Sequence, residues 1–563
     1  MDSTENAPPK KPSHRWLTCL IALAICIGGA SFLLLLLACW FVFLFSRPQP
    51  VLVISKETTR IIGPLTDEGY IDFFKALEER YYPPELATED NGFRIFVQQF
   101  GDGGYDRDIT PEDRKFYRLQ TYEKLGLDPD VPPTMTLPQS PHEIIENFVY
   151  GQLWSLEQYP MLADWVNEMD EPLDAIAEMI RKPVFFAPYL QSPKSFESGK
   201  PQLIIAMISP DDQLPRNIGR MFIARATYRA GQGNIDGAIE DKLILHRLGR
   251  QMTQKGLLGN YLIGIAIEGM ATTIPVNVNS EHPLTKEQIQ RILEGLDALP
   301  PRIPLALAYE SERYMCLSAL QTMMRDPGDL NEEIDPNANL VGKLVNWNVV
   351  FRNMNEVYDA MQEPPPRKRY NAIMDNIKSL SKQKWRFFAP LLFPGGTDRV
   401  FTNLHIALLT PGVEVFDNAV WRMECVDNMQ RLVLAVLLYR LENGAMPDEN
   451  WAAQIKQYLG DNPEQYFSCP SNPSPEGETV YALIQYGDAV PENFDTFLLV
   501  ELKESVPFGK ATITVDEILA QKRMGSQHTG MLNTAYQSGA VRWLSEHTEE
   551  KELARLLGRD MNE

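Results

Sequence analysis

The stretch that most constrains this chain is Trp16 to Phe45, an apolar run without a charged side chain and with Leu33 to Leu37 at its centre. A helix over these roughly thirty positions would be ~45 Å long, against the ~30 Å hydrocarbon core of a bilayer. The run therefore predicts one membrane-spanning helix. Lys10, Lys11 and Arg15 flank its N-terminal side. That basic excess places residues 1–15 in the cytoplasm and the bulk of the chain outside, as in a single-pass protein of the inner (cytoplasmic) membrane. A cleaved signal peptide would carry an apolar core of about 7–15 residues, roughly half of this run. Leu36-Leu37-Ala38-Cys39 has the residue order of a lipidation signal at Cys39, but Trp40 to Phe45 continue the apolar run where a lipidated chain would turn polar.

The chain beyond the run is long enough for several domains. It has 563 residues in all, and 44% of them are hydrophobic, which supplies sizeable cores. Its net charge of -22 argues against nucleic-acid binding, which needs a basic surface to neutralise phosphates. Of the cysteines, Cys316, Cys425 and Cys469 lie beyond the apolar run. In an oxidising compartment one pair and one free thiol are expected, with connectivity open. No C-x-x-C pair suggests zinc or redox chemistry, and no cofactor is expected.

Helical signals dominate residues 61–390, after a tether at 46–60. Thr110-Pro111-Glu112-Asp113 has an N-cap, a proline at the first helical position and acids in the first turn, and Thr285 with Gln288 has capping-box spacing. Ile218 to Ala230 and Gly237 to Thr253 read as two helices around the turn Gly231-Gln232-Gly233-Asn234, an αα-hairpin of TPR-like character without a fixed repeat period. Leu257 to Ile274 is apolar nearly all round, which predicts a central helix. Its Glu268 predicts a buried acid paired with Arg247 or Arg250. Pro301 to Met324, Val341 to Met361 and Arg367 to Trp385 give three more helices, and Gln202 to Met207 is a strand candidate.

Ala224 to Arg250 (ARATYRAGQGNIDGAIEDKLILHRLGR) and Trp347 to Asp359 (WNVVFRNMNEVYD) resemble segments of a recurrent group of planctomycete membrane-anchored helical proteins. That group carries no assigned activity, so the resemblance implies architecture and no reaction.

Trp421 to Pro447 reads as a helix with Cys425, Met429, Leu432, Val436 and Tyr439 on one stripe, stopped by Asn443-Gly444. This helix, Phe467 to Ser471, Thr496 to Glu501 and Ser526 to Leu544 resemble the pseudopilin-like H-x9-DG family. His528 and Gly539 stand at its closing motif, while the family's aspartate is replaced by Ser538. Residues 526–544 also predict a β-hairpin, Met531 to Tyr536 and Ala540 to Leu544, around Ser538-Gly539. The resemblance implies an α+β head over 391–546 with a small antiparallel sheet, a Cys425–Cys469 disulfide if the compartment is oxidising, and an envelope partner of secretion or pilus type. Residues 547–563 read as a charged tail.

No catalytic constellation stands out. His142-Glu143-Ile144-Ile145-Glu146 lacks the second histidine of a zinc-protease motif, and Ser140 with Glu143 reads as a helix start. Asp102, Asp106 and Asp108 lack the glycine of a calcium loop. Ser379 and Lys382 have serine-to-lysine spacing without the companion motifs of β-lactamase-like enzymes. Asn348, Arg352, Asn355 and Asp359, at i, i+4, i+7 and i+11, form one polar helix face, either an interhelical or solvated network or a candidate groove. The expected protein is mainly α: a membrane-anchored, non-catalytic scaffold or binding protein at the cell envelope, the alternative being an envelope hydrolase with its site near that face.

Overall fold

The computed structural model describes residues 51–101, 110–136, 153–198, 213–278, 283–325, 345–364, 367–383, 396–409, 412–470, 473–486, 494–520, 524–525, 531–545 and 547–559, with scattered positions in 31–42 and 203–207. The expected membrane span needs correction. Among the described residues no helix is long and apolar enough to cross a membrane. Within 16–45 only isolated positions such as Phe32, Leu34, Leu35 and Cys39 are described, and the rest of the run lies outside the described residues.

Six helices organise the site: α1 (Leu214–Gly231), α2 (Ile235–Thr253), α3 (Leu258–Thr272), α4 (Leu305–Arg325), α5 (Trp347–Met361) and α6 (Gly412–Asn443). α1 and α2 form the αα-hairpin. Gly233 takes φ +77° in its turn, and the Asn234 side chain accepts from Gly237 N–H to cap α2. α2 and α3 approach one another closely at a pair of glycines. A Cβ on Gly249 would lie 2.7 Å from the Gly264 carbonyl oxygen, and one on Gly264 would lie 2.4 Å from that of Gly249. Two facing glycines let the helices touch through their backbones.

Among the described residues five strands come after α6: β1 (Glu478–Gln485), β2 (Phe497–Pro507), β3 (Thr512–Thr514), β4 (Met531–Tyr536) and β5 (Val541–Ser545). Their order is β3-β1-β2-β4-β5. The sheet is mixed, where an antiparallel one was expected, because β3 pairs parallel to β1. The chain reverses at Phe508–Lys510 after running antiparallel along β1, and the far edge of β2 is taken by β4. The returning strand therefore joins the open edge of β1, a pairing that strand periodicity does not encode. In the β4–β5 hairpin, Gly539 takes φ +74°.

Both faces of the sheet are covered. Tyr481, Leu483, Leu499 and Ala535 face the core that includes α6, while Ala482, Ile484, Val500 and Leu532 face a second core with Leu553, Leu556 and Leu557. The last three belong to or directly succeed a helix, Glu550–Leu556, so the stretch expected as a charged tail contributes a covering layer. Each leucine buried there is worth about 1.5–3 kcal/mol. One hydrophobic core runs without interruption from Ile71 on the helical side to Val541 in the sheet. At the seam, Val276 and Asn277 donate backbone N–H groups to the Ser538 carbonyl, each at 3.0 Å.

Candidate functional site

The polar face of α5 is covered by the chain's own residues 51–60. Asn348 clamps an extended backbone from both sides of its amide: Nδ2 donates to the Val51 carbonyl at 2.9 Å, and Oδ1 accepts from Val53 N–H at 2.8 Å. Two helical turns on, Asn355 Nδ2 donates to the carbonyls of Glu57 (3.1 Å) and Thr58 (2.6 Å). Between these contacts the segment tightens into a turn, in which Ser55 N–H donates to the hydroxyls of Thr58 and Thr59. Leu52, Ile54 and Ile61 pack against the main core.

Asp359, the last member of the stripe, lies 2.7 Å from Arg313 Nη2 and 3.8 Å from Arg60 Nη1. Arg60 has a left-handed backbone (φ +66°), and its Nε donates to Glu310 at 3.1 Å. Arg352 differs from its neighbours on the face. Its Nε donates to the Asn348 carbonyl at 3.1 Å, its side chain is exposed, and no carboxylate pairs with it among the described residues. The four residues share one surface, which deepens from the open Asn348 end to the buried Asn355. Among the described residues no set of convergent acids lines it.

A second concentration of polar chemistry lies where α2, α3 and α6 meet. Glu268 of α3 is fully buried and accepts from Arg250 Nε (2.6 Å), Arg302 Nε (3.0 Å) and Arg302 Nη2 (2.8 Å). Asp427 of α6 accepts from Arg250 Nη2 (2.8 Å) and Arg302 Nη2 (2.7 Å). Burial raises the Glu268 carboxyl against the opposing pull of the two arginines. At Asp427 burial also raises, but the guanidiniums of Arg302 and Arg250 outweigh it and hold the acid below its ordinary range. Arg247, the other partner expected for Glu268, instead donates to the carbonyls of Ile180 and Arg181.

His246 completes this cluster. It is fully buried, and neither ring nitrogen has a hydrogen-bond partner among the described residues. Burial holds the imidazole well below its usual titration, and Lys242 reinforces the shift. One ligand atom each from His246, Glu268 and Asp427 fall within 4.8 Å of one another, a geometry that could hold a metal ion. The donor set does not fit one: both carboxylates already accept from two guanidiniums, which put positive charge where a cation would sit. The cluster is an ion-pair joint. Next to it, Lys242 Nζ donates to the carbonyls of Ala271 (2.8 Å) and Ile274 (3.2 Å), closing the C-terminal end of α3; burial lowers this ammonium to about 7.

Asp241 and Asp417 are neutralised in the same way. Asp241 pairs with Arg225 at 2.6 Å and with Arg229 at 3.2 Å, and Asp417 accepts from Tyr309 Oη at 2.6 Å and pairs with Arg367. Compared with known proteins, the chain matches no family model, no curated protein and no solved structure.

The remaining sequence candidates fall apart from one another. The Cys425 thiol lies 3.2 Å from Cys469 Sγ, both fully buried, as two thiols in hydrogen-bond contact. Gly539 occupies the β4–β5 turn, and His528 lies outside the described residues, as do His142 to Glu146 and Asp102 to Asp108. Ser379 is exposed and bonds back to the Asn376 carbonyl at 2.8 Å, so its hydroxyl is engaged within its own helix. Sequence reasoning missed Arg302, Asp427 and His246. Only Glu268 left a signal, as an acid in an otherwise apolar helix.

Proposed function

We propose that this protein is a non-catalytic scaffold or binding protein. One observation carries the reading: the polar face that stood as the candidate site uses its asparagine amides on main-chain groups of residues 51–58 and its carboxylate on Arg313 and Arg60. Hydrolysis needs a positioned base or nucleophile with room for substrate, and the internal acids Asp241, Glu268, Asp417 and Asp427 are held as arginine ion pairs. The long helix α6 laid on a small sheet supports the pseudopilin-like reading of 391–546, which makes a secretion- or pilus-type component the first partner class to test.

The test is turnover by the full chain on ester, peptide, glycoside and phosphoester substrates, comparing wild type with Asp359→Asn. No turnover above background is expected in either. An activity present in wild type and lost in Asp359→Asn would establish the hydrolase reading instead.

A further inference from the structure

We infer that the α5 face is a peptide-binding groove held closed by residues 51–54 of the same chain, and that its partner is an extended segment with two alternating apolar residues followed by an acidic one. The inference rests on the reading as a binding protein and names the ligand class for that face. Asn348 reads backbone only: it takes the carbonyl of one residue and the N–H of the residue two further on, the spacing of an extended strand. Any segment with that backbone satisfies it. Specificity comes from the flanks. Leu52 and Ile54 supply the apolar contacts, Val51 and Val53 point away and are 84% and 59% exposed, and this alternation fixes an apolar-x-apolar pattern.

The acidic position follows from Arg352. It stands one turn beyond Asn348 on the same face, exposed and without a carboxylate partner among the described residues, in the interval that the chain's own Ile54, Ser55 and Lys56 cross between Val53 on Asn348 and Glu57 on Asn355. A glutamate in place of Lys56 would bring a carboxylate into the interval of a guanidinium that has none among the described residues. The closure is graded in a way that suits exchange. The Val51 and Val53 bonds to Asn348 are solvent-exposed, whereas Thr58 and Thr59 are buried and Arg60 is tied to Glu310 and Asp359, so 51–54 can leave while 57–60 stay anchored once the Thr58 hydroxyl gives up its bond to the Val53 carbonyl.

The probe is a fluorescein-labelled synthetic peptide with the sequence of residues 50–56 carrying Lys56→Glu, its binding to the full chain read by fluorescence anisotropy. Val53→Pro in the protein removes the N–H that Asn348 accepts while keeping an extended backbone. That variant is expected to bind the peptide roughly tenfold more tightly than wild type, because the intramolecular competitor is weakened. Adding Asn348→Ala should abolish the gain. Arg352→Gln should remove the preference for the Lys56→Glu peptide over the unmodified one. Equal binding by wild type and Val53→Pro, or binding indifferent to Asn348→Ala, overturns the inference. Should Val53→Pro fail to fold, hydrogen exchange on wild type decides: excess peptide should speed deuterium uptake at 51–54, and unchanged uptake overturns it. A failed exchange would leave the non-catalytic reading intact, while substrate turnover would remove that reading without touching the groove.

Discussion

Three residues set the chemistry of the α2–α3–α6 joint. Gly249 leaves the space that Glu268 fills, since a Cβ there would lie 2.5 Å from Glu268 Cγ. Gly249→Ala is therefore expected to cost about 1–3 kcal/mol in urea unfolding, in the range of overpacked cores. Arg302→Ala removes three hydrogen bonds from two acids and leaves Glu268 buried with one partner, which should cost about 3–5 kcal/mol in the same assay. His246 gives the joint a pH dependence. Its folded pKa is depressed, so its contribution is fully present above the unfolded value of about 6.5. Below that pH the unfolded chain takes up a proton that the native state refuses, and stability falls by up to about 1.4 kcal/mol per pH unit. The groups facing His246 are Lys242, Arg250 and Arg302 on the positive side and Asp427 and Glu268 on the negative. His246→Leu should flatten the profile between about pH 6.5 and 5 relative to wild type, and an unchanged slope would assign the acid sensitivity to other groups.

At the scale of elements, helices were legible where a single face or cap carried the signal. Thr285 and Gln288 do form a capping box, Thr110 caps with Pro111 behind it, and the hairpin turn lies at Gly233. These are local effects, set within a few residues. The pairing of β3 with β1, the covering helix at 550–556, and the meeting of Arg302 with Glu268 and Asp427 are set by chain reversals and packing over long separations. Nothing in spacing or periodicity encodes them. The candidate face was legible as a stripe, but its occupant was not, because main-chain groups of residues 51–58 carry no sequence signature. The thiols of Cys425 and Cys469 join α6 to the segment before β1. Oxidation to a disulfide would close a loop of about 45 residues and stabilise by roughly 3–4 kcal/mol. Peptide mass spectrometry without reduction should find the bridge in oxidised protein, with Cys469→Ser less stable than wild type only under oxidising conditions. Recovery of both thiols alkylated after oxidation would contradict this.

At the scale of the molecule, one core passes from the helical side into the sheet, and the charged joint between α2, α3 and α6 lies along that passage. Buried ion pairs of this kind add little net stability over apolar packing but are costly to break singly, so they favour one arrangement of the parts over others. A molecule built in this way holds a surface in place, which is the basis of the proposal that it acts as a scaffold or binding protein. That surface is the α5 face, and the central claim is that Asn348 and Asn355 hold residues 51–59 against it. The most direct measurement is hydrogen–deuterium exchange of the full chain with Asn348→Ala and Asn355→Ala combined. Uptake across 51–59 is expected to rise strongly while uptake across 214–272 stays at the wild-type level; unchanged uptake at 51–59 would contradict the claim.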